Sequence, residues 1–348
     1  MELDNILEKA VRREASDIHL TVGIEAIVRI NGRLEKITEH KLSLADLQQL
    51  TSEMLSEEKR KKFAEAGEVD FAYHRNDYHF RVNAFHQQGN PAAALRVLPD
   101  QVPELGELGL PDKLKEMVEK PRGLFLVTGP TGSGKSTTLA AMINRINGMM
   151  DKHIITLEDP IEYVHEHQKS IINQREIGKD TKGFTPGLRA ALRQDPDIIL
   201  LGEMRDLETI STALKAAETG HLVLATLHTN GASETIERII NVFPPHQQTQ
   251  VRTQLALSLQ GVLSQQLLPT VDGQDRTVAT EMLVVDAAVQ NLIREGKTHQ
   301  LESVMQTNKD KGMHTMDYSL RELYLKGAIR RRKAMEKADD EDILDNML

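Results

Sequence analysis

The apolar positions at the start of the chain repeat first with the period of a helix and then with that of strands. The helical repeat consists of Leu3, Ile6, Leu7, Ala10 and Val11. This spacing predicts a short amphipathic helix. The runs IHLTVG and AIVRINGRLEKI follow as strands, and the Asn31-Gly32 pair predicts a tight hairpin because both residues accept a positive φ.

Helical spacing returns after the hairpin, with Ser43 as the cap of one helix and Ser56 as the cap of a second that ends at Gly67. The strand-like runs EVDFAYH, DYHFRVNAFHQQ and AAALRVL complete this region. The order predicts a smaller α+β domain with an antiparallel sheet over residues 1–98. Residues 99–111 combine prolines and glycines with no apolar period, which predicts a linker.

Beyond the linker, the apolar residues stand in continuous runs instead of alternating. The runs are LFLV, IITL, IILL and HLVLATL, with helical stretches and loops between them. Buried strands of a parallel sheet have this pattern because helices cover both of their faces. The alternation predicts an α/β, RecA-like P-loop domain over residues 112–348, with a helical region at its C-terminal end.

The strand LFLV leads directly into GPTGSGKST, and a helical stretch follows. Strand, glycine-rich loop and helix in this order predict a phosphate-binding P-loop. We expect Lys135 to reach the β- and γ-phosphates of ATP and the Ser136 hydroxyl to coordinate Mg²⁺, while the helix N-terminus adds partial positive charge. The nucleotide-binding residues predicted here are Gly129, Pro130, Thr131, Gly132, Ser133, Gly134, Lys135, Ser136 and Thr137.

Polar side chains follow three of the other apolar strands. Glu158 follows IITL, Glu203 follows IILLG, and His228 ends HLVLATLH. Ligands of such sheets lie at the carboxyl ends of the strands, where a carboxylate can activate water or hold a Mg²⁺-bound water. His228 could donate to a γ-phosphate, or it could be a neutral, satisfied histidine. Each acid alone could be a surface acid, but the pair beside a P-loop favours a catalytic role.

Composition narrows the class of protein. The chain has 348 residues, a net charge of −9 and no cysteine. Disulfides and cysteine-ligated metal centres are therefore excluded, and the acidic balance argues against nucleic-acid binding as the main task. The charged N-terminus and the lack of an apolar run of membrane length lead us to expect a cytoplasmic protein.

Three segments after the P-loop carry a family resemblance. ITLEDPIEYVH resembles the Asp box of the secretion-ATPase superfamily, RAALRQDPDIILLGEMRD resembles its modified Walker B segment, and TGHLVLATLHTN resembles its His box. The resemblance extends through the chain from ASDIHL onward. Three features resemble the PilT family of type IV pilus retraction ATPases. The chain starts at that domain, it has no cysteine motif, and it contains the segment AVQNLIREGKTHQLESVMQT.

This resemblance implies a PAS-like N-terminal domain and a homohexamer that hydrolyses ATP with Mg²⁺ to retract a pilus. Such a ring would lie at the inner face of the cell membrane and act on a platform protein, without direct contact with nucleic acid. Each ATP would lie between the P-loop domain of one subunit and the N-terminal domain of a neighbour. Arg81 and Arg96 match the family's phosphate-contacting arginines. From the sequence alone their register is open, and they could equally be solvated side chains.

The same matching assigns the remaining site residues. Glu203 matches the catalytic carboxylate and Glu158 an assisting one, while Arg205 and Asp206 are expected to be structural. Gln290 stands where the family more often has arginine. We recognise no family motif in residues 330–348, and their charge, basic and then acidic, predicts a solvated helix or a frayed end.

Other functions are compatible with these residues. Within the superfamily, the chain could be an accessory retraction ATPase that works with a second ATPase, or a pilus assembly or secretion ATPase. A nucleotide-gated binding module, in which turnover is incidental, belongs to another class. A DNA-translocating ATPase is a further alternative, against which the acidic balance speaks.

Overall fold

The computed structural model describes residues 2–30, 32–76, 78–98, 101–273 and 275–348. It divides into two compact units, Met1–Gln101 and Val102–Leu348. Residues 102–111, predicted as part of a linker, group with the second unit, in which Leu105 is buried. Residues 99 and 100 lie outside the described residues, and the predicted domain boundaries stay predictions.

Within its described residues, the first unit is a six-stranded antiparallel sheet, in the order β3-β2-β1-β6-β5-β4, with three helices. This arrangement confirms the predicted α+β class. Its elements are α1 Leu3–Arg12, β1 Asp17–Leu20, β2 Ile27–Ile30, β3 Arg33–Lys36, α2 Leu44–Met54, α3 Glu57–Ala66, β4 Glu68–Arg75, β5 Tyr78–Gln87 and β6 Asn90–Leu98.

Local sequence signals set the boundaries of several of these elements. Ile30 pairs with Arg33 across a two-residue loop in which Gly32 has a φ of 81°; Asn31 lies outside the described residues. The hydroxyl of Ser43 accepts from the backbone N–H of Asp46, and the carboxylate of Asp46 accepts in return, so that a capping box begins α2.

In the part of the chain that the structure describes, the second unit is built on a seven-stranded sheet in the order β13-β12-β7-β11-β10-β8-β9. Strand β13 runs antiparallel to β12, and the other neighbouring strands are parallel. This sheet confirms the α/β class. The elements are α4 Lys113–Met117, β7 Gly123–Thr128, α5 Lys135–Met149, β8 His153–Glu158, β9 Ile171–Glu176, α6 Phe184–Ala191, β10 Ile198–Leu201, α7 Leu207–Thr219, β11 Leu222–Leu227, α8 Ala232–Asn241, α9 Pro245–Ser258, β12 Leu259–Pro269, β13 Arg276–Val284, α10 Ala287–Glu295, α11 Leu301–Thr307, α12 Met316–Leu325, α13 Arg331–Met335 and α14 Glu341–Met347.

The four predicted strands form the centre of this sheet, and every residue of β7, β10 and β11 is buried. Strand β9 and helix α6, in a region predicted as a loop, and the hairpin of β12 and β13 were not predicted from the sequence. Strand β9 is an edge strand in which buried and exposed residues mix. Strand β12 interrupts its apolar run with Ser264, Gln265 and Gln266, so it lacks the continuous pattern of the central strands.

The C-terminal segment corrects the prediction of a solvated or frayed end. Its side chains Ala334 and Leu344 are buried and belong to a cluster with Leu268 of β12 and Leu320 of α12. The guanidinium of Arg321 donates to the carbonyl oxygen of Met347 at 3.0 Å. Apolar side chains of α13 and α14 therefore belong to one buried cluster with residues of β12, β13 and α12. A few apolar side chains are enough to hold the two short helices there, because the surface that they cover is itself apolar. Within the described residues, no helix combines the length and apolar character needed to cross a bilayer.

Candidate nucleotide-binding site

The loop between β7 and α5 depends on glycine at two points. Gly129 has a φ of 137° and Gly134, which precedes α5, a φ of 90°, values that residues with a side chain rarely adopt. A Cβ atom at Gly129 would lie 2.3 Å from the carbonyl oxygen of Gln265. Glycine is therefore required here both for its backbone conformation and for the close approach of β12.

Lys135 lies across this loop. Its ammonium group donates to the carbonyl oxygens of Gly129 at 2.8 Å and Pro130 at 2.9 Å. Burial lowers the pKa of Lys135, while the nearby carboxylates of Glu203 and Glu162 act in the opposite direction. A phosphate group in the loop would offer this cation a stronger, charge-assisted hydrogen bond than a carbonyl does.

Gln265 of β12, which the sequence analysis missed, ties the loop to the helix. Its side chain is 2% exposed. The amide oxygen accepts from the hydroxyl of Thr138 at 2.9 Å, and the amide nitrogen donates to the carbonyl oxygen of Ser133 at 2.6 Å. The one available signal was the polar run SQQ inside an otherwise apolar segment.

The sheet register brings the other predicted site residues to the same edge. Leu157 of β8 pairs with Leu201 of β10. Glu158 is the last residue of β8, and Glu203 lies two residues beyond the end of β10, so both are at the same edge of the sheet. The backbone N–H of Gly202 donates to the carbonyl oxygen of Leu157 at 2.8 Å. A Cβ atom at Gly202 would lie 3.2 Å from that oxygen, so glycine lets the two acidic segments approach each other.

Glu203 is held between the side chains of Arg205 and His228. Arg205 donates to one carboxylate oxygen at 2.6 Å, and the imidazole of His228 lies 3.5 Å from the other. Burial by itself would raise the pKa of Glu203, but the hydrogen bond and charge of Arg205, with the charges of His228 and Lys135, lower it below its ordinary value. Glu203 is therefore a carboxylate at neutral pH.

Arg205 and Asp206, both expected to be structural, take different positions. Asp206 caps α7 by accepting from the backbone N–H of Thr209 at 2.8 Å. Arg205 instead contacts Glu203, the predicted catalytic carboxylate, and most of its side chain is exposed. No sequence pattern predicts this contact, because whether two residues of one loop meet depends on the backbone path between them.

Glu158 has the opposite electrostatic environment. It accepts from the hydroxyl of Thr156 at 2.5 Å and from the side-chain amide of Gln174 on β9 at 3.1 Å. Burial raises the pKa of Glu158 to about 6, although these two hydrogen bonds lower it. The amide of Gln174 also donates to the carbonyl oxygen of Tyr163 at 2.8 Å, and the phenol of Tyr163 lies 3.0 Å from the hydroxyl of Thr137. A polar chain thus joins Glu158 to the first turn of α5.

Arg81 and Arg96 are directly opposite each other on β5 and β6 of the first unit. Opposite residues of an antiparallel pair share a face, which settles the register that the sequence left open. Both side chains are exposed, and Arg96 donates to Asp17 of β1 at 3.0 Å. Asp17 is in turn opposite Arg29 of β2, which adds a third arginine to this row. The catalytic roles of the site residues named here stay predictions.

A parallel sheet with a P-loop at its carboxyl edge, flanked by two carboxylates and a histidine, defines a RecA-like nucleotide-binding protein. Residues 1–335 match the family model described as "Type II/IV secretion system protein". The chain belongs to this family.

Several named proteins are similar to this chain over most of its length. The chain is 46% identical over 339 residues to the Type IV pilus retractation ATPase PilT of Pseudomonas aeruginosa, covering 97% of this chain and 98% of that one. It is 48% identical to the Twitching motility protein of Neisseria gonorrhoeae, covering 91% and 85% of the two chains. A crystal structure of the pilus retraction motor PilT with bound ADP matches with a TM-score of 0.94 at 50% identity, over 99% of both chains.

The first prediction concerns the hydrogen bonds of Gln265. Gln265→Leu keeps most of the side-chain volume but leaves the Ser133 carbonyl and the Thr138 hydroxyl without this partner, a loss of about 1–3 kcal/mol. We expect ADP affinity, measured by isothermal titration calorimetry, to fall about tenfold or more because the loop loses its support. Gln266→Leu is the control, since successive strand residues face opposite sides of the sheet. Equal affinities for the two variants would contradict this role.

The second prediction uses the raised pKa of Glu158. Because the folded-state value of about 6 exceeds the ordinary 4.5, Glu158 stabilises the fold fully below pH ~4.5, and this contribution is lost as the pH rises through ~6. Glu158→Gln does not titrate, so its free energy of unfolding relative to wild type should rise by roughly 2 kcal/mol across that window. Urea unfolding at several pH values measures this difference. Glu166→Gln, at an exposed site in the same segment, is the control, and a flat difference for Glu158→Gln would refute the assignment.

Proposed function

We propose that this chain is an ATPase that powers the retraction of type IV pili. The observation that carries the proposal is similarity over nearly the whole chain to relatives named for pilus retraction and twitching motility. The site supports it chemically, because the phosphate loop lies at the same sheet edge as an ionised carboxylate. The assignment of retraction instead of assembly rests on the names of those relatives.

Different residues have different roles in ATP hydrolysis. Backbone N–H groups of residues 131–137 and the ammonium of Lys135 bind the phosphates. Glu203, kept ionised by Arg205, orients the attacking water and takes up its proton. His228, 3.5 Å from Glu203, is placed to distinguish a bound γ-phosphate from its absence. Glu158, with a pKa raised to about 6 by burial, assists as a second acid or base.

Magnesium fits the oxygen donors of this site. The Ser136 hydroxyl is exposed at the first turn of α5, beside Lys135, and Glu203 adds a carboxylate at the same edge. Among the described residues no group of three or more histidine or acidic ligands occurs, so the protein would supply only one or two oxygens, as is usual for Mg²⁺ bound to a nucleotide. When bound, the ion neutralises charge on the β- and γ-phosphates.

We infer that the working form is a homohexamer in the cytoplasm, peripheral to the inner face of the cell membrane. Each subunit would complete the site of a neighbour with Arg81 and Arg96, whose exposed, shared face leaves their guanidinium groups accessible. The ring would contact an inner-membrane platform protein of the pilus and, in some cells, a second retraction ATPase. Direct contact with nucleic acid is not part of this function.

The third prediction tests hydrolysis and retraction together. Glu203→Gln should bind ATP with unchanged affinity but hydrolyse it about 100-fold or more slowly, because the general base is lost; Lys135→Ala should lose nucleotide binding. Steady-state turnover and calorimetry measure both. In a piliated strain that lacks its retraction ATPase, the wild-type chain should restore pilus shortening and Glu203→Gln should not.

Normal hydrolysis by Glu203→Gln would overturn the assignment of the base. Restoration of pilus shortening only when a second retraction ATPase is present would identify the chain as an accessory ATPase. Full partner binding with negligible wild-type turnover would instead favour a nucleotide-gated binding module.

The fourth prediction tests whether the arginines act between subunits. We expect two variants to be inactive when each is assayed alone. One is the double variant Arg81→Ala with Arg96→Ala, and the other is Lys135→Ala. Mixed rings should regain activity, because a Lys135→Ala subunit supplies intact arginines to a neighbour with an intact P-loop. Turnover is measured on the mixture, with the assembly state of the same samples determined by mass. No recovery in mixed hexamers would mean that the arginines act within one chain or not at all. Arg33→Ala is the control for the loss of positive charge, because Arg33 is an exposed arginine of the same sheet.

A further inference from the structure

The turn that carries His228 ends in a contact with a buried carboxyl group outside the catalytic cluster. Glu281 of β13 is 5% exposed. It accepts from the backbone N–H of Ala232, the first residue of α8, at 2.7 Å. The backbone N–H of Met316, the first residue of α12, lies close enough to lower the pKa of Glu281. Two helix N-termini, each with partial positive charge, therefore meet at one carboxyl group.

The neighbouring strand supports the same turn. Ser264 of β12 is directly opposite Glu281, and its hydroxyl accepts from the backbone N–H of Gly231 at 3.0 Å. Within the turn, the hydroxyls of Thr229 and Thr235 lie 2.7 Å apart. The next residue of β12, Gln265, is the one that supports the phosphate loop. One strand pair thus supports both the loop that holds the phosphates and the turn that holds His228.

Further contacts fix the body of α8. The hydroxyl of Ser233 donates to the carbonyl oxygen of Thr298 at 3.1 Å, and the hydroxyl of Thr298 donates to Glu237 at 2.8 Å. Since Ser233 and Glu237 of α8 are both bound in this way, loss of the contact at Ala232 would act mainly on the residues that precede the helix. His228 is four positions before Ala232, within that turn.

The setting of Glu281 is electrostatically unfavourable. Burial raises the pKa of Glu281 to about 7, and the charges of Asp339 and Glu302 add to this, while the N–H groups of Ala232 and Met316 lower it. A buried carboxyl group of this kind costs stability unless its hydrogen bonds are satisfied. Such groups cluster at functional sites, where geometry matters more than stability.

We propose that Glu281 is a positioning residue for ATP hydrolysis, which fixes the first turn of α8 and thereby holds His228 beside Glu203. This inference rests on the proposed function, because it assigns Glu281 a part in the same catalytic site. Glu281 itself does not contact the nucleotide. It acts through the backbone of residues 228–232.

The fifth prediction compares Glu281→Ala and Glu281→Gln with a matched control. Glu281→Ala should lower kcat about tenfold to a hundredfold, the usual effect of misplacing a catalytic group by about 1 Å. The KM for ATP and the Kd for ADP should stay within about twofold, since Gln265 still supports the phosphate loop. Glu281→Gln retains one oxygen acceptor for the N–H of Ala232 and should recover most of kcat.

Asp317→Asn is the control for damage to the same region. Asp317 is buried next to Met316 and accepts from the backbone N–H groups of Asp339 and Asp340 at 2.8 and 3.1 Å. Its partners belong to the C-terminal segment and not to the turn of His228. Asp317→Asn should therefore lower the melting temperature as Glu281→Ala does, yet leave kcat unchanged.

Hydrogen–deuterium exchange provides a readout that does not depend on turnover. Glu281→Ala should accelerate exchange in peptides covering residues 226–236 and leave residues 129–137 unchanged. An unchanged kcat, a parallel loss of kcat and ADP affinity, or unaltered exchange at 226–236 would each overturn the role of Glu281. A wild-type chain without ATPase activity would instead refute the proposed function, and the exchange data would still decide whether Glu281 fixes the turn.

Discussion

Burial of the central parallel strands on both faces is the constraint on which the rest of the site depends. A parallel strand whose residues are all apolar can only lie between layers of helices, and this fixes its register against its neighbours. Because β7, β8, β10 and β11 run in the same direction, the segments that follow them meet at one edge. The phosphate loop, Glu158, Glu203 and His228 are close together for this reason, although they are far apart along the chain. Glycine at positions 129 and 202 then allows the backbones at that edge to approach more closely than a side chain would permit.

The two carboxyl groups at this edge differ in their environments. Glu203 lies between Arg205 and His228, and its pKa is lowered; burial raises the pKa of Glu158 to about 6. Neighbouring acids with pKa values moved apart can take separate roles, one as an ionised base and the other as an exchangeable acid. The polar chain from Glu158 through Gln174 and Tyr163 to the first turn of α5 keeps the second acid in a fixed relation to the phosphate loop.

The hairpin of β12 and β13 adds a layer of support that the central strands do not provide. Three of its buried polar side chains have partners at the site: Gln265 at the phosphate loop, and Ser264 and Glu281 at the turn of His228. Satisfied polar groups of this kind specify one arrangement of a site, because any displacement leaves buried groups without partners. The face of the hairpin that carries Ser264 and Glu281 also carries Leu268 and Ala279, which pack with α12 and the C-terminal helices.

The sequence by itself determined the local elements and the chemistry of the phosphate loop. Periodicity identified the central strands, cap residues such as Ser43 identified helix starts, and the spacing of GPTGSGKST identified a nucleotide site, since each of these signals depends only on residues close together in the chain. Only the tertiary structure decided that Arg81 is opposite Arg96, that Arg205 contacts Glu203, and that Gln265 and Glu281 support the two loops. These contacts join residues on separate strands or depend on the path of a loop, and such relations follow from sheet register and long-range packing, which no short stretch of sequence encodes.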